Sequence, residues 1–312
     1  QMRARRDQGI TGSGHALAMT AACAGMSPLA KRGHEQGGLE GIRTLRALDD
    51  VLKNDGELEA LAHSLGAIHQ KLAGAGAPLL CTVADDPNIQ SASEAAAQRA
   101  GALPTSSHDG ITLDPVRTGI QEMWVTNTQV NFCAKAYPTV PSGHPDAPAL
   151  SVLAAFLRNG FLHRTIREQG GAYGGGASHD PNIAAFRFFS YRDPRLVETL
   201  DDFDASIAWL LETQHEQLAL EEAILSVMAS LDKPGSPAGE AKRDFHERLF
   251  GRTAEHRRIL RAGIVGTTLD DLRLVAETYL KPELASTAVV THTAGADIVA
   301  ERQLPLTRQD LL

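Results

Sequence analysis

The chain has 312 residues, a net charge of −8, 43% apolar and 22% charged residues. These are globular proportions and exclude disorder of the whole chain; no run approaches the roughly 18 apolar residues of a membrane helix. The acidic balance argues against a general nucleic-acid binder, and at roughly 100–200 residues per domain the length suggests two domains.

Residues 1 to about 73 read as helical. Leu39, Ile42, Leu45 and Leu48 recur at three-residue spacing, and Leu58, Leu61, Leu65 and Ile68 form a second apolar stripe. Gly12-Ser13-Gly14-His15 and Gly37-Gly38 are expected to break the segment into separate helices. Pro78-Leu79-Leu80-Cys81-Thr82-Val83 is short, apolar and suited to a buried strand, and a helix is expected from about Asn88 to Arg99. Residues 102–119 have loop composition, with Pro104, Gly110, Pro115 and Gly119 among small polar residues. From Val130 to Tyr137 apolar and polar residues alternate with period two, which predicts a strand.

A long helix is expected from about Ala149 to Gln169, ended by Gly170, Gly171, Gly174, Gly175 and Gly176. Residues 183–191 predict a strand with Phe186 and Phe188 on one face and Arg187 and Phe189 on the other. Further helices carry Leu200, Phe203, Ile207 and Leu210, then Leu220, Ile224, Val227 and Leu231, then residues 238–250. Another starts at Thr268 with Asp271 as a capping-box partner. Ala288–Thr291 predicts the last strand, and the tail after Gly295 reads as loosely structured. This order indicates an α+β fold: a mainly antiparallel sheet covered by helices on one face.

The three cysteines, Cys23, Cys81 and Cys133, form no CxxC spacing and read as thiols of a reducing compartment. Basic residues 1–6 lead into no apolar stretch, so no secretory signal is read and a cytoplasmic location is expected, although the chain could equally begin inside a longer protein. Among twelve histidines neither H-E-x-x-H nor H-x-x-E-H occurs; His215-Glu216 and His246-Glu247 begin the first pattern, but Ala219 and Phe250 stand where the second histidine belongs. No G-x-S-x-G elbow and no P-loop are present.

The most unusual stretch is Phe161 to Gly176, with five glycines in the seven positions from Gly170. Such glycines permit positive φ and close backbone approach. Arg167 and Tyr173 there could donate hydrogen bonds to a bound carbonyl or oxyanion. The alternative is a glycine-rich helix stop in which Arg167 caps carbonyls and Tyr173 packs. Phosphate cradling is disfavoured, because the glycines follow a helix rather than precede one.

Residues 161–176, continued by Phe189-Ser190-Tyr191-Arg192-Asp193-Pro194, resemble the C-terminal half of the presequence-protease branch of the pitrilysin/insulinase metalloendopeptidases. Gly12-Ser13-Gly14-His15-Ala16 with Gly37-Gly38 and Arg43, and Phe132–Pro138, agree with it. The resemblance implies a two-half enzyme that closes around a peptide. The N-terminal half bears the zinc; the C-terminal half lacks metal ligands and supplies an arginine and a tyrosine, here Arg167 and Tyr173, to hold substrate and stabilise the oxyanion. Gly170, Gly171, Gly174 and Gly175 would flank the substrate. On this reading residues 1–75 are the helical end of a third domain and 76–312 a complete, peptidase-like but inactive fourth domain. Zinc is expected only on the N-terminal half, and the partners are that half of the same polypeptide and short unfolded peptides, with no nucleic acid and no membrane. The chain alone is expected to be inactive as a peptidase. The competing reading is a non-catalytic binding or scaffold protein of the same fold.

Overall fold

In the computed structural model the described residues are 1–73, 79–103 and 112–311. Five helices precede the first strand: α1 (Met2–Cys23), α2 (Pro28–Gly37), α3 (Leu39–Val51), α4 (Asp55–Ala73) and α5 (Ile89–Gly101). Strands β1 (Gln121–Val125) and β2 (Phe132–Pro138) lead to α6 (Ala147–Leu157), which passes directly into a π-helix over Arg158–Gln169. Then come β3 (Gly174–Asp180), β4 (Ala185–Tyr191), α7 (Val197–Glu212), α8 (Gln217–Leu231), α9 (Pro237–Leu249), α10 (Ala254–Val265) and α11 (Leu269–Tyr279). The chain finishes with β5 (Ser286–Thr291), α12 (Thr293–Glu301) and β6 (Thr307–Asp310).

The chain divides into two bodies, one of Gln1–Arg46, Asp114–Asp232 and Arg258–Leu312, the other of Ala47–Leu113 and Lys233–Arg257. The first holds a six-stranded sheet in the order β3-β4-β2-β5-β1-β6. β3, β4, β2 and β5 pair antiparallel, whereas β1 runs parallel to β5 and β6. The expected α+β class with a mainly antiparallel sheet is therefore found.

Alternation along the strands divides the apolar side chains between two cores. Cys133, Tyr137, Phe186, Phe188 and Val289 join Leu150, Leu153, Leu157, Phe203 and Leu272 from the helices that follow the first strand pair. On the opposite face Trp124, Phe132, Ala134, Ala136, Ala288 and Val290 meet Ala18, Ala21 and Ala22 of α1 and Leu39 and Ile42 of α3. The helical layer is thus present on both faces, not on one. Small residues let α1 lie close to the strands, so Gln1–Arg46 belongs to the same body as the sheet. The expected boundary at residue 75 lies outside the described residues.

In the second body Leu58, Leu65 and Ile68 of the expected stripe are exposed on α4, and α5 buries no residue. The strand expected at 78–83 is not formed: Leu79, Leu80 and Val83 lie exposed in irregular backbone, and Pro78 is outside the described residues. The other expected helices and strands are found. At α11 the Thr268 hydroxyl accepts from the Asp271 amide at 3.1 Å, while the Asp271 carboxylate accepts from the Thr268 amide at 2.8 Å. Burial pushes the Cys23 thiol up to about 12 and that of Cys133 up as well, so both are inert as nucleophiles at neutral pH.

Candidate active-site half

The glycine-rich segment joins the π-helix to β3, an edge strand of the sheet. Helix α6 is apolar along nearly its whole length and its side chains are mostly buried. After Leu157 the sequence turns polar, and only Leu162 and Ile166 of the π-helix stay fully buried, so one narrow stripe pins it to the core. Gly160 faces the Trp209 ring, where a Cβ would come within 2.5 Å of Cη2. A π-helix of this length is uncommon, and π-helical turns concentrate at functional sites. Arg167 lies in its last turn with an exposed side chain that makes no hydrogen bond or ion pair among the described residues.

Four anchors hold the turn that follows. Gly170 N donates to Thr165 O at 2.9 Å, Gly171 N to Arg167 O at 3.2 Å and Ala172 N to Ile166 O at 3.1 Å. Fourth, the Arg195 guanidinium packs against the Gly170 Cα where a Cβ would stand, and donates to Asp202 at 2.8 Å and to Thr165 O at 3.4 Å. Gly171 has φ +78°, a conformation open to glycine at little cost. Gly175 lies over Ile166, where a Cβ would come within 2.7 Å of Cγ2, whereas Gly174 has open space around it.

Tyr173 emerges from this turn 68% exposed. Its amide donates to Arg192 O at 3.4 Å, and its ring stands edge-on to Tyr191, with centroids 5.3 Å apart. Tyr191 is itself fixed: its hydroxyl donates to Gly12 O at 3.4 Å, the His15 ring lies 4.7 Å away, and the Arg192 guanidinium sits over its face at 5.4 Å. Arg192 has φ +50°, which is strained for a side-chain-bearing residue. The break expected at Gly12–His15 is a kink within α1, with Ser13 at φ −137°, ψ 27°. At Gly14 the Phe132 ring occupies the space a Cβ would need. Burial lowers the His15 pKa and keeps that imidazole neutral at pH 7.

The segment therefore brings Arg167 and Tyr173 to the two sides of one anchored turn, both exposed, with Gly170 and Gly171 between them. Gly174 and Gly175 belong to β3 instead. Spacing alone did not single out Arg195, Tyr191 or His15; they support the turn from the segment around the end of β4 or from α1. Both side chains are hydrogen-bond donors of the kind that a carbonyl oxygen accepts from. Among the described residues no three His, Cys, Asp or Glu side chains come together as metal ligands.

The two-cored α+β body has a known fold. A peptidase M16 inactive domain from Pseudomonas fluorescens superposes with a TM-score of 0.51 at 18% identity, covering 65% of this chain and 52% of that one, a likeness of fold. Residues 121–294 match the family described as the PreP C-terminal domain, and the chain belongs to that family. The mitochondrial presequence protease of Yarrowia lipolytica is 31% identical over 86% of this chain and 27% of its own length. That of Kluyveromyces lactis is 38% identical over 52% of this chain and 16% of its own length. The chain thus spans about a quarter or less of these relatives.

Proposed function

We propose that this chain is the substrate-facing, non-metal C-terminal half of a metalloendopeptidase that degrades short unfolded peptides. Arg167 and Tyr173 hold the substrate backbone and stabilise the oxyanion that forms on the scissile carbonyl, and the Gly170–Gly175 backbone flanks the peptide. The observation that carries this reading is a turn in which the backbone is anchored throughout while the two strongest donors are left unpaired and exposed. Such donors accelerate a reaction because they are already oriented when charge develops, with no reorganisation during the step. The zinc and the water it activates belong to another part of the polypeptide, with which this half would pair; residues 1–75 would then be the closing helices of the preceding domain and 76–312 the fourth domain. The relatives carry mitochondrial or chloroplastic names, which lends no support to a cytoplasmic location.

In the intact polypeptide, Arg167→Ala and Tyr173→Phe are each expected to lower kcat by about 10²–10³-fold, the usual loss for one oxyanion donor. Zinc content should stay unchanged. Turnover equal to wild type in both variants, or loss of zinc, overturns the assignment. The 312-residue chain alone should not hydrolyse a quenched peptide.

A further inference from the structure

A concavity opens beside the same core that Leu162 and Ile166 of the π-helix enter, farther along β3 from Tyr173. It is a cavity of about 470 Å³ between α6, β3, α8 and α10. Val227, Leu231, Leu260 and Ile264 supply an aliphatic wall. Ser151, Ser226 and Ser230 place hydroxyl-bearing residues around it, and His179 faces it from β3. Ser151 Oγ lies 3.3 Å from His179 Nδ1 and donates to Ala147 O at 2.9 Å. His179 Nε2 is buried and meets no partner at normal hydrogen-bond geometry, although the Val140 carbonyl faces the ring.

The charge at this cavity is one-signed. No Asp or Glu lines it among the described residues, and the one charged lining residue is Arg158. That guanidinium has no carboxylate partner among the described residues; its Nε reaches only Asn159 Oδ1, at 3.5 Å. Its stem lies across β3 at Gly176, where a Cβ would come within 2.7 Å of Cγ and Cδ. Gly176, which like Gly174 and Gly175 belongs to β3 and not to the Arg167–Tyr173 turn, is what lets Arg158 lie there.

We propose that this cavity binds a small aliphatic carboxylate, with the carboxylate on Arg158, the hydrocarbon on the Val227–Ile264 wall, and polar atoms meeting the serines and His179. A free short-chain acid and the C-terminal residue of a peptide share this chemistry. An unpaired guanidinium beside an apolar wall favours such a ligand over a neutral one, because a charge-assisted pair adds to the burial of the hydrocarbon.

The test is calorimetric and NMR titration of the 312-residue chain with hexanoate, with hexanol as its uncharged counterpart, and with the tripeptide Ala-Ala-Val as acid and as C-terminal amide. Saturable hexanoate binding, tighter than hexanol, is expected. Arg158→Gln should weaken it about 10- to 100-fold, the range for a lost charged hydrogen bond, with hexanol unaffected. Gly176→Ala, which crowds the Arg158 stem without removing its charge, should weaken hexanoate as well. Binding of the tripeptide acid but not its amide assigns the site to peptide termini; hexanoate without the tripeptide assigns it to free acids. No saturable binding of either carboxylate, equal affinity for hexanoate and hexanol, or unchanged affinity in Arg158→Gln overturns the proposal.

Discussion

Gly171→Ala isolates backbone conformation from packing. The added Cβ would meet only Pro194 Cγ, at 3.7 Å, an ordinary contact, so crowding contributes nothing. What remains is the φ of +78°, which costs an L-residue about 1–2 kcal/mol relative to glycine. Gly174→Ala is the matched control three residues on: it has no neighbour within 4 Å and no positive φ. That control should be neutral or slightly stabilising, since alanine loses less entropy on folding than glycine. Chemical denaturation should therefore place Gly171→Ala about 1–2 kcal/mol below Gly174→Ala, or about 2–8 °C in Tm for a body of this size. Gly171→Asn should recover most of the loss, because asparagine tolerates the left-handed region. Gly171→Val should be worse than alanine and, in the intact protein, should reduce turnover by displacing Tyr173. Equal stability of Gly171→Ala and Gly174→Ala would refute the reasoning.

Two further outcomes concern the interior of the same body. Lys135, nearly buried on β2, donates to both Asp204 oxygens at 2.7 and 2.6 Å and to Leu200 O at 3.4 Å. The Asp204 side chain is 55% exposed, so solvent screens the pair; Asp204→Ala should cost about 1–2 kcal/mol in urea unfolding, whereas Lys135→Met should cost less, and the reverse order would contradict the account. Burial pushes the His179 pKa from 6.5 down to about 4, so the unfolded chain binds the extra proton first and stability falls as pH drops from 6.5 to 4. The loss attributable to this group reaches about 3 kcal/mol by pH 4. His179→Gln should flatten the decline, read as urea midpoints at pH 7 and pH 4.5, and an unchanged slope would exclude His179 as its source.

How much of the fold the sequence revealed depended on whether a strand carried side chains that set up a pattern. β2 and β4 each show one face to each core, and their alternation was legible at Cys133, Tyr137, Phe186 and Phe188. β1 begins Gln121-Glu122 and ends in three buried residues, so no period of two develops. β3 begins with three glycines and β6 is Thr-Arg-Gln-Asp, two edge strands with few side chains to pattern. The 78–83 run misled in the opposite direction: apolar composition predicts burial only where a partner surface covers it, and Leu79, Leu80 and Val83 stay exposed. Helix α12 escaped notice because Gly295 lies in its first turn, where the chain packs against Thr291 and no side chain fits. The second helical layer was hidden for a related reason: α1 covers the sheet with alanines, which give a weak apolar stripe but allow close approach.

The glycine cluster shows where composition stops and geometry begins. Five glycines in seven residues announce an unusual backbone, yet they do unlike things. Gly170 admits the Arg195 guanidinium, Gly171 supplies the left-handed turn, Gly175 clears Ile166, Gly176 clears Arg158, and Gly174 does none of these. All four requirements are imposed by side chains from the π-helix and from the segment after β4, or by the turn itself. A site assembled this way is rigid without being packed: its backbone is over-determined while Arg167 and Tyr173 remain free to meet a ligand. That combination is what the proposed oxyanion-binding role requires and a plain helix stop does not. In a stop, Arg167 would cap the last carbonyls and Tyr173 would pack against the core; here backbone amides from 170 to 172 take the carbonyls of residues 165–167, and Tyr173 rests only its edge on Tyr191.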